Sequence, residues 1–244
     1  MSTSTGPESD RDVAAQLREF ARNFGPQIDR LEPARVVENA ATAVPRAVAA
    51  GLTLVRGTQR PRTLAATDLL VEQVDAIQYD MGEGPCLEAI EDDDIIRADE
   101  LAADPRWPKF SSRVVAETPV RSMFAARLFL GNGDQGALNF YAKSARGFTE
   151  LDLGIGAVFS CLAGLALRNA IEQQRSVNLE AALDSSRQIG MAMGIVMSSK
   201  LVTAERAFDL LRDASQRQQR KLRDVAAQVV ETGWLPEPPH AEAG

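Results

Sequence analysis

Hydrophobic residues recur at two different spacings along this chain, and the change of spacing divides it into regions. From residue 33 to 141, helical stretches alternate with short runs rich in β-branched and aromatic residues, with turn signals between them. The runs predict strands over 52–55, 95–96, 123–130 and 137–141. Before them, four apolar residues three or four positions apart predict a short amphipathic helix over 12–24: Val13, Leu17, Phe20 and Phe24.

A strong turn signal separates the last two predicted strands. Residues 131–134 read Gly-Asn-Gly-Asp, a composition typical of tight hairpin turns. Because hairpin partners run antiparallel, the region predicts an α/β (α+β) domain with a mainly antiparallel sheet.

A long helical pattern follows from Thr149, whose hydroxyl can cap the helix with Glu150 in its first turn. Ile155, Val158, Leu162 and Leu165 then form an apolar seam for another helix. Over 151–167 this seam can equally cover the domain's own sheet, and both interpretations remain open. The polar continuation over 168–186 predicts a coiled-coil linker in a parallel homodimer.

The C-terminal region predicts a small all-α bundle of three helices. Apolar residues recur at helical spacing over 183–200, in a second helix capped by Thr203, and in a third helix that ends at Gly233. Gly190 and Gly194, four residues apart, predict a groove where another backbone can approach closely.

Composition narrows the class of protein. The 244 residues are 45% hydrophobic and 25% charged, which is typical of a globular protein, and neither a membrane span nor a signal peptide is evident. We therefore expect a cytoplasmic protein. The single histidine, His240, lies in a Pro-rich tail, so the sequence predicts that this is not an enzyme and holds no metal. The acidic run 91–94 is interpreted as a solvated turn.

Charge is distributed unevenly along a chain whose formal net charge is −7. Five basic residues and one acid, Asp213, occur over 212–223. A basic edge in an acidic protein is typical of phosphate contact, because each neutralised phosphate releases a counterion. A solvated turn between two helices explains the charges equally well.

The segments 186–197, 207–215, 221–226 and 232–233 resemble, in order and spacing, the ANTAR family. The resemblance implies a dimerising three-helix domain that binds paired stem-loops in nascent mRNA leaders and prevents terminator formation. Met193 stands where that family commonly has Lys. The residues predicted to contact RNA are polar or basic: Arg187, Lys200, Arg212, Ser215, Arg217, Arg220, Lys221 and Arg223.

The segments 82–89, 104–108, 136–141 and 148–152 resemble a GAF domain of the kind that actinobacterial regulators place before ANTAR. The resemblance implies a small-molecule or redox sensor, with no particular cofactor indicated. Phe140 and Leu153 replace the Lys and Glu of cyclic-nucleotide GAF signatures, which disfavours such a ligand. The predicted ligand-binding residues are Asp80, Glu83, Arg121 and Asn139.

Cys86 follows a Gly-Pro turn at a predicted helix start. The helix N-terminus can lower the pKa of a thiol and make it a redox target, whereas a buried structural thiol is the alternative. Of the two, the sequence favours the buried structural thiol.

The sequence therefore predicts a signal-responsive antitermination regulator in five parts. They are a tail with a short helix over 1–28, a GAF-like sensor over 29–172, a helical linker over 173–182, an ANTAR RNA-binding domain over 183–236 and a disordered tail over 237–244. A DNA-binding regulator and a dimeric protein-interaction module are the alternatives.

Overall fold

The computed structural model describes residues 32–92, 95–131 and 133–236. The helix expected over 12–24, His240 and both tails lie outside the described residues, as do Asp93, Asp94 and Asn132. The chain divides into two compact units, Met1–Ile171 and Glu172–Gly244, called unit 1 and unit 2 below.

Unit 1 is built on a five-stranded sheet in the order β2-β1-β5-β4-β3, and every neighbouring pair is antiparallel. The predicted α+β fold with a mainly antiparallel sheet is confirmed. β2 was not predicted from the sequence. The strands are β1 (Ala49–Arg56), β2 (Arg62–Ala66), β3 (Ile95–Ala98), β4 (Ser122–Leu128) and β5 (Asp134–Ala142).

The predicted hairpin joins β4 to β5. Gly131 and Gly133 have φ of 75° and 76°, a left-handed conformation that glycine adopts at low cost. The backbone N–H of Asp134 donates to Gly131 O at 3.1 Å and closes the turn.

One face of the sheet is covered by α1 (Pro33–Ala43) and by the first part of α5 (Glu150–Lys200). Phe124 stacks on Phe140 with ring centroids 4.5 Å apart and meets Phe148 edge-on at 4.8 Å. Of the two interpretations of the 151–167 seam, the structure shows the covering of the sheet, because Ile155 is buried and Leu162 packs against the same core.

Helix α5 begins with reciprocal capping. The backbone N–H and the hydroxyl of Thr149 both donate to Asp152 Oδ2 at 2.7 Å, and the Asp152 N–H donates to Thr149 Oγ1 at 3.3 Å. The predicted Thr149 cap is confirmed, and Asp152 supplies the second half of the capping box.

By length and composition alone, α5 could cross a membrane, since its most apolar window has a mean hydropathy of 1.6. Phe159 and Ala163, however, lie in the core of unit 1. This apolar stretch is therefore a core helix of unit 1.

The opposite face of the sheet carries three helices and one 3₁₀ turn. Val71, Val74, Phe110 and Tyr141 are among the side chains that fill this layer. The elements are α2 (Leu69–Met81), α3 (Pro85–Asp92), the 3₁₀ turn Leu101–Ala103 and α4 (Pro108–Glu117).

Unit 2 is a three-helix bundle formed by α5 from residue 172 onward, α6 (Ala204–Gln218) and α7 (Leu222–Thr232). The Thr203 side chain accepts from the Arg206 N–H at 3.4 Å, and α7 ends at Gly233 with φ 78°, so both predicted helix boundaries are confirmed. The fully buried core consists of Ala192, Val196, Ala207, Leu211, Ala214, Val225, Ala226 and Val229.

Candidate functional site

The four residues predicted to bind a ligand in unit 1 have separate partners. Asp80 is exposed and pairs with Arg113 at 3.2 Å. Glu83 accepts from the N–H groups of Lys109 and Phe110 at the start of α4, and the Arg121 guanidinium donates to two backbone carbonyls of its own loop. Asn139 alone is buried among polar side chains on the sheet.

Asn139 belongs to a hydrogen-bonded group, the Asp75 cluster, between the sheet and helices α2 and α3. Its Nδ2 donates to Thr53 Oγ1 at 3.0 Å, and that hydroxyl lies 2.9 Å from the Tyr79 hydroxyl. The cluster consists of Thr53, Thr63, Asp75, Gln78, Tyr79, Cys86, Asn139 and Tyr141.

Asp75 is the acidic residue at the centre of the cluster and is fully buried. Its carboxyl accepts from the hydroxyls of Thr63 and Tyr141, both at 2.6 Å, and from Tyr79 at 3.3 Å. Burial raises the pKa of Asp75 above its usual 3.8, while the three hydroxyl donors oppose that rise and Glu72 adds to it. Burial beside Asp75 also raises the pKa of Tyr79 and Tyr141.

Cys86 lies at the start of α3, as its position after Gly-Pro suggested, but the pKa of its thiol is raised and not lowered. The side chain is fully buried, and burial together with the Asp75 charge raises the pKa of Cys86 to about 12. The effect of burial on the thiol pKa outweighs the opposite effect of the helix N-terminus. The structure therefore agrees with the favoured interpretation of Cys86 as a buried structural thiol, while Cys161 is exposed.

Glycine at position 84 allows the loop before α3 to close over the cluster. A Cβ there would overlap the side chain of Gln78, and the φ of +138° is a conformation that other residues rarely adopt. The Gln78 amide can then accept from the Cys86 N–H at 2.8 Å.

The raised pKa of Asp75 predicts the direction in which the free energy of unfolding changes with pH. The native state favours the neutral acid, so as pH rises above 3.8 the ionised form stabilises the unfolded chain more than the native one. We expect the stability of D75N relative to wild type to increase with pH, by at most about 1.4 kcal/mol per unit, until the folded pKa is passed. Urea unfolding of both proteins between pH 4 and 8 measures this difference.

Asp80→Asn is the matched control, because Asp80 is on the same helix but exposed. D80N should show no such increase with pH. A constant difference between D75N and wild type across the range would contradict the assignment of Asp75 as the titrating group.

In unit 2, the residues predicted to contact RNA fall into two groups. Ser215 and Arg220 hold the turn between α6 and α7, since the Ser215 hydroxyl donates to Arg220 O at 2.6 Å and the Arg220 guanidinium donates to Gln228 Oε1 at 2.6 Å. Arg212 pairs with Asp209 at 2.8 Å and Arg223 with Asp224 at 3.5 Å, both on the surface.

The second group is exposed and makes no ion pair or side-chain hydrogen bond within the described part of the chain: Arg187, Lys200, Arg217 and Lys221. Arg217 and Lys221 flank Gln219, which is left-handed with φ 51°. Lys221 is also the N-cap of α7, and no side chain caps that helix end. The dipole of α7 and the two cations therefore favour an anion at this turn.

Met193, which stands where a Lys was expected, packs against the core of unit 2. Among the described residues, no group of three or more His, Cys, Asp or Glu side chains could hold a metal ion.

A GAF domain family model matches residues 34–168 and an ANTAR domain family model matches 177–230. These two matches define a regulator in which a sensor domain precedes a helical output domain. The GAF match spans more than half of the chain, so the protein belongs to the GAF domain family, with an ANTAR domain after the GAF domain. The predicted combination of GAF and ANTAR is confirmed. No curated protein sequence matches the chain.

Solved structures resemble part of this chain at low sequence identity. The GAF domain of a phosphoenolpyruvate-protein phosphotransferase from Coxiella burnetii is 16% identical and has a TM-score of 0.50, covering 67% of this chain and 98% of that one. The corresponding Acinetobacter domain is 15% identical, with a TM-score of 0.49 and coverages of 65% and 95%. A free methionine-R-sulfoxide reductase from Neisseria meningitidis is 17% identical, with a TM-score of 0.40 and coverages of 72% and 98%.

Proposed function

We propose that this protein is a cytoplasmic transcription antitermination regulator whose unit 2 binds paired RNA stem-loops under the control of the GAF domain. The observation that carries the proposal is the coincidence of the ANTAR match with a folded three-helix bundle that presents unpaired cations at the α6–α7 turn. Phosphates and exposed loop bases are the features of RNA hairpins that such cations can contact.

The experiment is competition binding with a stem-loop RNA and a duplex DNA of equal length at matched salt, since charge alone would attract both. We expect the paired stem-loop to displace the DNA. The stem-loop is found by sequencing the RNA that copurifies with the protein from its host. Preference for duplex DNA would favour a DNA-binding regulator, and binding of neither would favour a protein-interaction module.

We further propose that the RNA-binding form is a homodimer paired through the linker part of α5, which includes the predicted linker 173–182. Within unit 2, Leu179 and Leu183 are 61% and 62% exposed, and Val177 and Met191 are also exposed. A Cβ at Gly190 or Gly194 would meet nothing within 4 Å, so a second helix can approach closely there. An apolar groove of about 590 Å³ continues this surface along Met191, Gly194, Ile195, Ser198, Ser199 and Val230.

The double substitution L179S/L183S tests this interface. Burying one leucine side chain contributes about 1.5–3 kcal/mol, so its removal weakens association at least about tenfold. We expect sedimentation equilibrium to show the corresponding rise in the dimer dissociation constant. L201S is the control, because Leu201 is 93% exposed but follows the end of α5. Equal effects of the two variants would contradict the proposed seam.

A regulator needs no catalytic group, and we propose that the chain is not an enzyme. The reductase fold neighbours do not change this, because that similarity concerns the fold alone. A coupling of about 1–3 kcal/mol between ligand and RNA would suffice to change RNA affinity by about 5- to 150-fold.

A further inference from the structure

Two polar atoms of the Asp75 cluster are buried without a hydrogen-bond partner among the described residues. They are Gln78 Nε2, a donor, and Asn139 Oδ1, an acceptor. Both residues are fully buried, and both amides lie beside Cys86. A buried polar group without a partner costs about 1–3 kcal/mol, so one unpaired donor and one unpaired acceptor in the same cluster point to a molecule that satisfies both.

The acidic character of the cluster restricts the charge that such a molecule can carry. Asp75 receives three hydroxyl hydrogen bonds, but no Lys or Arg side chain within the described ranges pairs with it. A buried carboxylate without a cation is costly, and an arriving cation would remove that cost. An anionic ligand would meet only further repulsion.

Helix α3 lies over the cluster, so it has to shift for a ligand to enter. It covers the cluster through Cys86, Ala89 and Ile90, which rest on Ala125 and Ala137 of the sheet. At its other side, Glu88 Oε2 accepts from Trp107 Nε1 at 2.8 Å, which fastens the helix to the loop before α4.

We propose that the Asp75 cluster is the ligand-recognition site of the GAF domain and that it takes a small organic cation carrying an ammonium group and a neighbouring hydrogen-bond acceptor. The ammonium donates to the Asp75 carboxylate and to Asn139 Oδ1, while the acceptor receives the hydrogen bond of Gln78 Nε2. The inference rests on the proposed sensor function. It places the ligand at the Asp75 cluster and not at Asp80, Glu83 and Arg121.

Binding of such a cation is linked to the titration of Asp75. The other titratable groups that surround it are Glu72 and Tyr79 of α2, Cys86 of α3 and Tyr141 of β5. Burial keeps the thiol and both phenols protonated at neutral pH, which leaves Asp75 as the group that exchanges its proton for the ligand. The affinity should therefore rise with pH by at most about tenfold per unit below the folded pKa of Asp75.

The test uses glycinamide as the probe, since it joins an ammonium group to a carbonyl acceptor. Acetamide is the neutral control and glycolate the anionic one. Binding to the full-length chain is measured by titration calorimetry and by the shift in melting temperature. We expect glycinamide to bind, both controls to fail, and D75N to lose at least about tenfold in affinity together with the dependence on pH. D80N should bind as the wild type does.

Three results would overturn the proposal: no binding of glycinamide, equal binding of acetamide, or equal affinity of D75N. RNA binding by the wild-type protein is measured in the same preparation. Intact RNA binding without glycinamide binding refutes this ligand class and leaves the proposed output function standing. Glycinamide binding without RNA binding refutes the proposed output function and leaves this ligand class standing.

Discussion

The double substitution R217E/K221E should weaken binding of the stem-loop RNA by about 10- to 100-fold. Both residues are exposed beside the uncapped N-terminus of α7 and make no ion pair in the described structure. Removing one cation from a phosphate also lowers the slope of log affinity against log salt by about 0.7 to 0.9, so we expect the slope to fall by about 1.5 for the pair. Fluorescence anisotropy across a salt series measures both quantities.

The control is R35E/K143E, which makes the same change in net charge on exposed positions of unit 1. It should weaken RNA binding only slightly, through the long-range field. If the two double variants weaken binding equally, the effect comes from the charge of the whole protein and the α6–α7 turn is not the contact. Unchanged binding by R217E/K221E would exclude these two residues directly.

Phe124→Ala should lower the free energy of unfolding of unit 1 by about 3–5 kcal/mol, the largest stability effect expected here. The ring is fully buried, stacks on Phe140 and meets Phe148 edge-on, so its removal leaves a cavity at the centre of one sheet face. Urea unfolding monitored by the fluorescence of Trp107, which is buried in the same unit, measures the decrease.

Phe129→Ala makes the same chemical change just beyond the buried end of β4, where the ring is 66% exposed. It should alter stability by no more than about 0.5 kcal/mol. A comparable decrease in both variants would contradict the packing described for Phe124.

Much of the structure of unit 2 could be predicted from residues that are close together in the sequence. Apolar positions three and four apart defined its helices, and Thr203 and Gly233 marked boundaries that the structure confirms. Capping groups and the residues they serve lie within one turn of each other, so such signals are local. The position of the Met193 side chain, by contrast, was decided by the packing of the helices, which places it against the core of unit 2.

The structure of unit 1 was harder to predict, because its edge strand lacks a distinctive hydrophobic pattern. β2 (Arg62–Ala66) is only half-buried at best, and its residues give neither a clean alternation nor an apolar run. It is recognised only by pairing with β1, whose register shifts between Leu52 and Thr53.

The sequence by itself determined the elements with regular spacing, the hairpin, the caps and the order of the two domains, because each is specified by residues close together in the chain. Only the tertiary structure decided the Asp75 cluster. Asn139 bonds to Thr53, 86 positions earlier, and Tyr141 bonds to Asp75, 66 positions earlier. Strand register and helix packing bring these side chains together and exclude water, and that burial, which no local pattern encodes, raises the pKa of both Asp75 and Cys86.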